Sequence, residues 1–75
     1  MKVLRGQIGQ FSAVRGDGIF VSDAGREMYF HALEIADRSR HISEGVTVEV
    51  VRRVGLRGRD EASQIVVVAT RSTAH

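Results

Sequence analysis

No cysteine and no proline occur among the 75 residues, and lysine occurs once, at Lys2. The lack of cysteine excludes disulfide staples and thiolate metal sites, so packing alone must hold the core. It also fits a cytoplasmic location. No apolar run is long enough to span a membrane, and Met1 to Gln7 lacks the apolar stretch of a secretory signal, so no membrane partner is expected. Low-complexity tracts and internal repeats are missing as well. A chain this short forms one domain and buries only about 60% of its unfolded surface. Without a cleft between domains, binding must occur on a face or in a groove.

With lysine nearly absent, ten of the eleven basic residues are arginine, and the net charge is only +2. Arginine suits planar stacking and bidentate phosphate contacts better than lysine does. A charge this mild leaves nucleic acid as one candidate partner among several.

The stretch from Arg15 to His31 reads as two short strands joined by a tight turn at Asp23-Ala24-Gly25. On the first, Gly18 and Phe20 share one face while Asp17, Ile19 and Val21 share the other. On the second, Met28 and Phe30 face one way, and Glu27, Tyr29 and His31 the other. A displayed ring and imidazole exceed what folding alone requires.

Residues 2 to 11 read as an earlier strand, bent where Gly6 and Gly9 interrupt it. Residues 26 to 40 also satisfy helical spacing and propensity. The alternation of Met28 with Phe30 after a glycine turn assigns 26 to 31 to a strand, with one helical or 3₁₀ turn near Leu33 to Ala36. Asp37 to His41 reads as an exposed basic loop. Val46, Val48 and Val50 alternate with polar neighbours in a strand over 46 to 54. Gly55 to Asp60 reads as a loop, residues 62 to 69 as a last strand centred on Ile65 to Val68, and 70 to 75 as a disordered polar tail. Five strands in so short a chain predict an all-β fold, most economically a small OB-type barrel, with an SH3-like barrel as the alternative.

Several segments together resemble a cold-shock domain. Gly6-Gln7-Ile8-Gly9-Gln10-Phe11-Ser12 is similar to that family's G-K-V-K-W-F-N. Arg15-Gly16-Asp17-Gly18-Ile19-Phe20 is similar to K-G-F-G-F-I, and Glu27-Met28-Tyr29-Phe30-His31-Ala32 to D-V-F-V-H-F. No gap is needed from Gly6 to Ala32. After a one-residue deletion, Ile42-Ser43-Glu44-Gly45-Val46 resembles L-x-E-G-x, and Arg57-Gly58 with Glu61 to Ile65 resembles the closing R-G-P-Q-A-A-N-V. The likeness covers residues 2 to 68. It implies an OB-fold barrel over residues 1 to 69 that binds single-stranded RNA or DNA, with rings stacking on bases.

The chain departs from the family where that stacking occurs. Gln10 replaces its tryptophan, Asp17 and Ile19 replace two aromatics, Ala32 a third, and Gln7 and Gly9 two lysines. Stacking is worth about 1–3 kcal/mol per base. Losing three or four rings therefore weakens binding by roughly a thousandfold or more. Asp17 also brings a negative charge toward the strand.

The remaining candidates for nucleic-acid contact are Phe11, Arg15, Ile19, Tyr29, His31, Arg57 and Arg59. Each also has a structural reading: Phe11 as partial core, His31 as an ordinary strand end, the loop arginines as solvated surface. With His41 and His75 scattered, no metal site is expected, nor any cofactor. The pairs Asp17 with Glu27 and Glu34 with Asp37 have no pocket to tune them, so no catalysis is expected. Arg15-Gly16-Asp17 spells an adhesion tripeptide by chance, and Gly16-x-Gly18 is too short for a phosphate loop and reads as close strand packing. The rival to nucleic-acid binding is a protein-interaction module or small inhibitor using the same face. Either a monomer or a homodimer made by edge-strand pairing is compatible.

Overall fold

The computed structural model describes residues 3–37, 41–55 and 58–69. Arg57, the expected tail at 70 to 75 and part of the expected loop at 37 to 41 lie outside the described residues. Five strands, β1 (Val3–Ser12), β2 (Asp17–Ser22), β3 (Glu27–His31), β4 (Thr47–Val54) and β5 (Asp60–Ala69), close into a barrel in the order β1-β2-β3-β5-β4. The expected all-β, five-stranded barrel is what forms, and it is consistent with an OB-type fold. All pairings are antiparallel except β3 with β5, where Tyr29 meets Glu61 in parallel.

The two central strands follow the alternation in their sequence. Phe20, Met28 and Phe30 are buried, as are Val48 and Val50 on β4 and Ile8 on β1. Each such side chain contributes about 1.5–3 kcal/mol of hydrophobic stabilisation. The helical alternative for residues 26 to 40 reduces to a 3₁₀ turn, Ala32–Glu34, one residue earlier than expected. The bend expected in β1 is a bulge between Ile8 and Gln10.

Glycine acts in two distinct ways here. A Cβ on Gly18 would overlap the carbonyl oxygen of Gln10 and strike the Phe30 ring at 2.7 Å, which is the expected close strand packing. Gly16 differs from that expectation: open space surrounds it, and its φ of +75° is what the β1–β2 turn requires.

β5 departs most from the sequence reading. It begins at Asp60, two residues early, because the charges that suggested a loop are cross-strand partners. Asp60 pairs with Arg52 at 3.1 Å and Glu61 with Arg53 at 3.3 Å. At its other end Ile65 is buried, whereas Val66, Val67 and Val68 stay exposed, since among the described strands β5 there pairs with β4 alone. A further bulge lies opposite Glu49 to Val51, and Gln64 at that bulge has a φ of +51°.

Candidate functional site

The register of β2 against β3 sets Asp17 opposite His31 and Ile19 opposite Tyr29 on the outward face. Tyr29 donates from its hydroxyl to Asp17 Oδ2 at 3.1 Å, and Arg15 Nη2 reaches the same oxygen at 3.1 Å. The Asp17 side chain is only 14% exposed. Its charge is thus held in a local neutral pair, where the sequence suggested a bare negative group. The Tyr29 hydroxyl has its pKa raised above the ordinary phenol value, first by desolvation and then by the hydrogen bond and charge of Asp17.

Phe11 is half-buried and lies opposite Gly18 in the β1–β2 register. Its ring stacks on that of Phe30 with centroids 6.1 Å apart and planes at 7°. The His41 ring stands at right angles to it, with centroids 5.8 Å apart. The Phe11 ring therefore serves the core and one wall of the groove together, as its partial-core reading anticipated.

Three depressions border Tyr29. The first, of about 530 Å³, is lined by Gln10, Phe11, Arg15, Asp17, Ile19 and Glu44 among others. The second, of about 880 Å³, lies between His31, Leu33, Val54, Arg59 and Glu61. A third, of about 510 Å³, runs past Ile19, Arg26 and Arg59. Of the expected contact residues, Phe11, Arg15, Ile19 and Tyr29 come together around the first, and His31 and Arg59 join Tyr29 around the second. Arg57 lies outside the described residues. His31 is committed on one side: its Nδ1 accepts from the Leu33 N–H at 3.2 Å and caps the 3₁₀ turn. With Nδ1 an acceptor, the neutral ring carries its proton on Nε2.

Acidic partners are as evident as basic ones. Arg5 pairs with Glu49, Arg26 and Arg52 with Asp60, and Arg53 with both Glu34 and Glu61. Among the described residues Arg59 makes no side-chain ion pair. Among them, too, no cluster of three or more His, Asp or Glu residues gathers to hold a metal.

Sequence reasoning missed Glu44, His41, Leu33 and Val54 as parts of this face. Glu44 figured in the sequence only within the Ile42 to Val46 segment, yet its carboxylate accepts from the Phe11 N–H at 3.3 Å and lines the first groove. Barrel closure brings it there from 33 residues away. No protein-family profile matches this chain, and no curated protein matches it.

Proposed function

We propose that this chain is a cold-shock-like barrel that binds single-stranded RNA or DNA on the outward face of β1 to β3. The observation that carries the reading is Tyr29, 40% exposed and bordering all three depressions, with His31 beside it. Bases stack on the two rings, Ile19 and the edge of Phe11 supply apolar contact, and Arg15 and Arg59 follow the backbone. Two exposed platforms at about 1–3 kcal/mol each supply about 2–6 kcal/mol, whose upper part corresponds to dissociation constants between roughly 50 μM and a few millimolar. Such weak binding, largely tolerant of sequence along the strand, suits an RNA chaperone or a regulator of transcription or translation.

The sequence contains one tyrosine and no tryptophan, so its tyrosine fluorescence reports on Tyr29 alone. Titration with thymidine and uridine oligonucleotides at low salt should quench it, with a shallow salt slope because most described arginines are already paired. Failure of both oligomers to bind by about millimolar concentration, or binding unchanged in Tyr29→Ala and His31→Ala, would end this reading.

A second reading, a protein-interaction module, draws on one specific feature. Leu33 and Val54 stand 65% and 62% exposed beside Tyr29 and His31 in the larger depression. Recovery of one stoichiometric protein after nuclease treatment, lost on Leu33→Asp, would favour it.

A further inference from the structure

We infer that Asp17 makes the groove between Tyr29 and Arg15 selective for guanine, an inference that rests on the nucleic-acid reading of this face. The two oxygens of this carboxylate differ. Oδ2 takes both the Tyr29 hydroxyl and the Arg15 guanidinium, each at 3.1 Å. Oδ1 has no partner among the described residues. No sealed side-chain oxygen or nitrogen there lacks a partner, so Oδ1 is not sealed from solvent, and Asp17 is among the residues that line the first groove.

Because Tyr29 points its hydroxyl at Asp17, a base stacked on that ring carries its edge toward the Asp17 carboxylate, whose remaining acceptor is Oδ1. An ionised carboxylate only accepts hydrogen bonds. Guanine presents two adjacent donors, N1–H and the N2 amine, along its pairing edge. Adenine and cytosine present one amine beside a ring-nitrogen acceptor. Thymine and uracil present one N–H between two carbonyl oxygens, which the carboxylate repels. Guanine is therefore the base whose two adjacent donors best match the one remaining acceptor oxygen, and discrimination by such a shared contact lies near the lower end of what a bidentate base pair gives, about fivefold. Arg15 keeps the carboxylate locally neutral, so the strand meets an acceptor without a net negative charge.

The same pairing predicts two effects of opposite sign. Removing Asp17 abolishes the preference for guanine and frees Arg15 from its shared pairing, so its contact with the backbone strengthens and a plain thymidine strand binds more tightly. The test compares thymidine heptanucleotides with a central thymine, guanine, adenine or hypoxanthine, which is guanine without the N2 amine, by Tyr29 fluorescence on wild type and Asp17→Ala. The expected result is at least about fivefold tighter binding of the guanine strand than the others, lost in Asp17→Ala, with the thymidine strand bound as well or better. If wild type binds all four equally, the inference fails and the nucleic-acid reading stands. If wild type binds none, both fail. If Asp17→Ala folds and keeps the preference, another group reads the base. Should that variant not fold, wild-type discrimination of guanine from hypoxanthine decides: equal binding overturns the inference.

Discussion

The hydroxyl of Tyr29 donates to Asp17 Oδ2 across the β2–β3 pair at 3.1 Å, on the diagonal of a register in which each residue directly faces another partner. A ring whose torsions would otherwise be free is thereby aimed along the sheet, and the acid at its tip is shared with Arg15. The outward face is a connected polar arrangement with one ring at its centre.

Titration of the tyrosinate absorbance tests this link directly, because Tyr29 is the only tyrosine. Desolvation, then the hydrogen bond and charge of Asp17, raise its pKa above 10.0. Asp17→Ala should lower the midpoint toward that ordinary value, since two of the raising causes disappear. The sign for stability follows from a folded pKa above the unfolded one. The contribution is complete below about pH 10, the ordinary phenol value, and is lost as pH rises through the raised value. An unmoved midpoint in a folded Asp17→Ala would mean that the bond does not persist in solution.

Much of the barrel was legible because strand side chains alternate strictly. Gly18, Phe20, Met28 and Phe30 show the inward set of β2 and β3 by position alone, and Val48 and Val50 do the same for β4. What was hidden depends on partners distant in the chain. Asp60 looks like loop until its ion pair with Arg52 on the neighbouring strand is known, and Arg53 lies opposite Glu61 in the same register. Asp17 looks repulsive until Arg15 and Tyr29 converge on it. Glu44 and His41 join the face only through closure of the barrel, which no local pattern encodes.

Phe11 links the groove to the core, and the two roles separate by substitution. Its ring is offset-stacked on Phe30, so Phe11→Ala removes that contact and leaves a partial cavity, destabilising by about 2 kcal/mol. Phe11→Leu retains most of the volume and costs less than about 1.5 kcal/mol. Urea unfolding compares the two. Equal losses would show that filled volume is not what the ring supplies.

Gly18→Ala tests the approach of β1 to β2. The added methyl meets the Gln10 carbonyl, which is backbone and cannot swing aside, and the rigid Phe30 ring at 2.7 Å. Overpacking of this kind costs about 1–3 kcal/mol, a large share of the roughly 4–11 kcal/mol expected for a domain of this length. The urea midpoint should fall with little change in slope. A midpoint equal to wild type would mean that the strands separate more easily than their packing implies.

Gln64 offers the opposite sign. Its φ of +51° places a side chain where L-residues are disfavoured by about 1–2 kcal/mol. The bulge that imposes this conformation also presents the Gln64 N–H to Glu34 Oε1 at 3.2 Å, while the same glutamate holds Arg53. The strain thus sits where the 3₁₀ turn is tied to β4 and β5. Glycine adopts this φ without the steric cost but loses more chain entropy on folding, about 0.5–1 kcal/mol. Gln64→Gly should therefore stabilise by about 0.5–1 kcal/mol, raising the thermal midpoint by roughly 2–8 °C. Gln64→Val, β-branched at a positive φ, should destabilise. In a Glu34→Ala background the bulge loses its anchor, and the gain from glycine should shrink because Gln64 can relax toward ordinary strand geometry. Thermal melts of the four chains close a double-mutant cycle. A glycine gain that is the same with and without Glu34 would show that the bulge is set by the β4–β5 register alone.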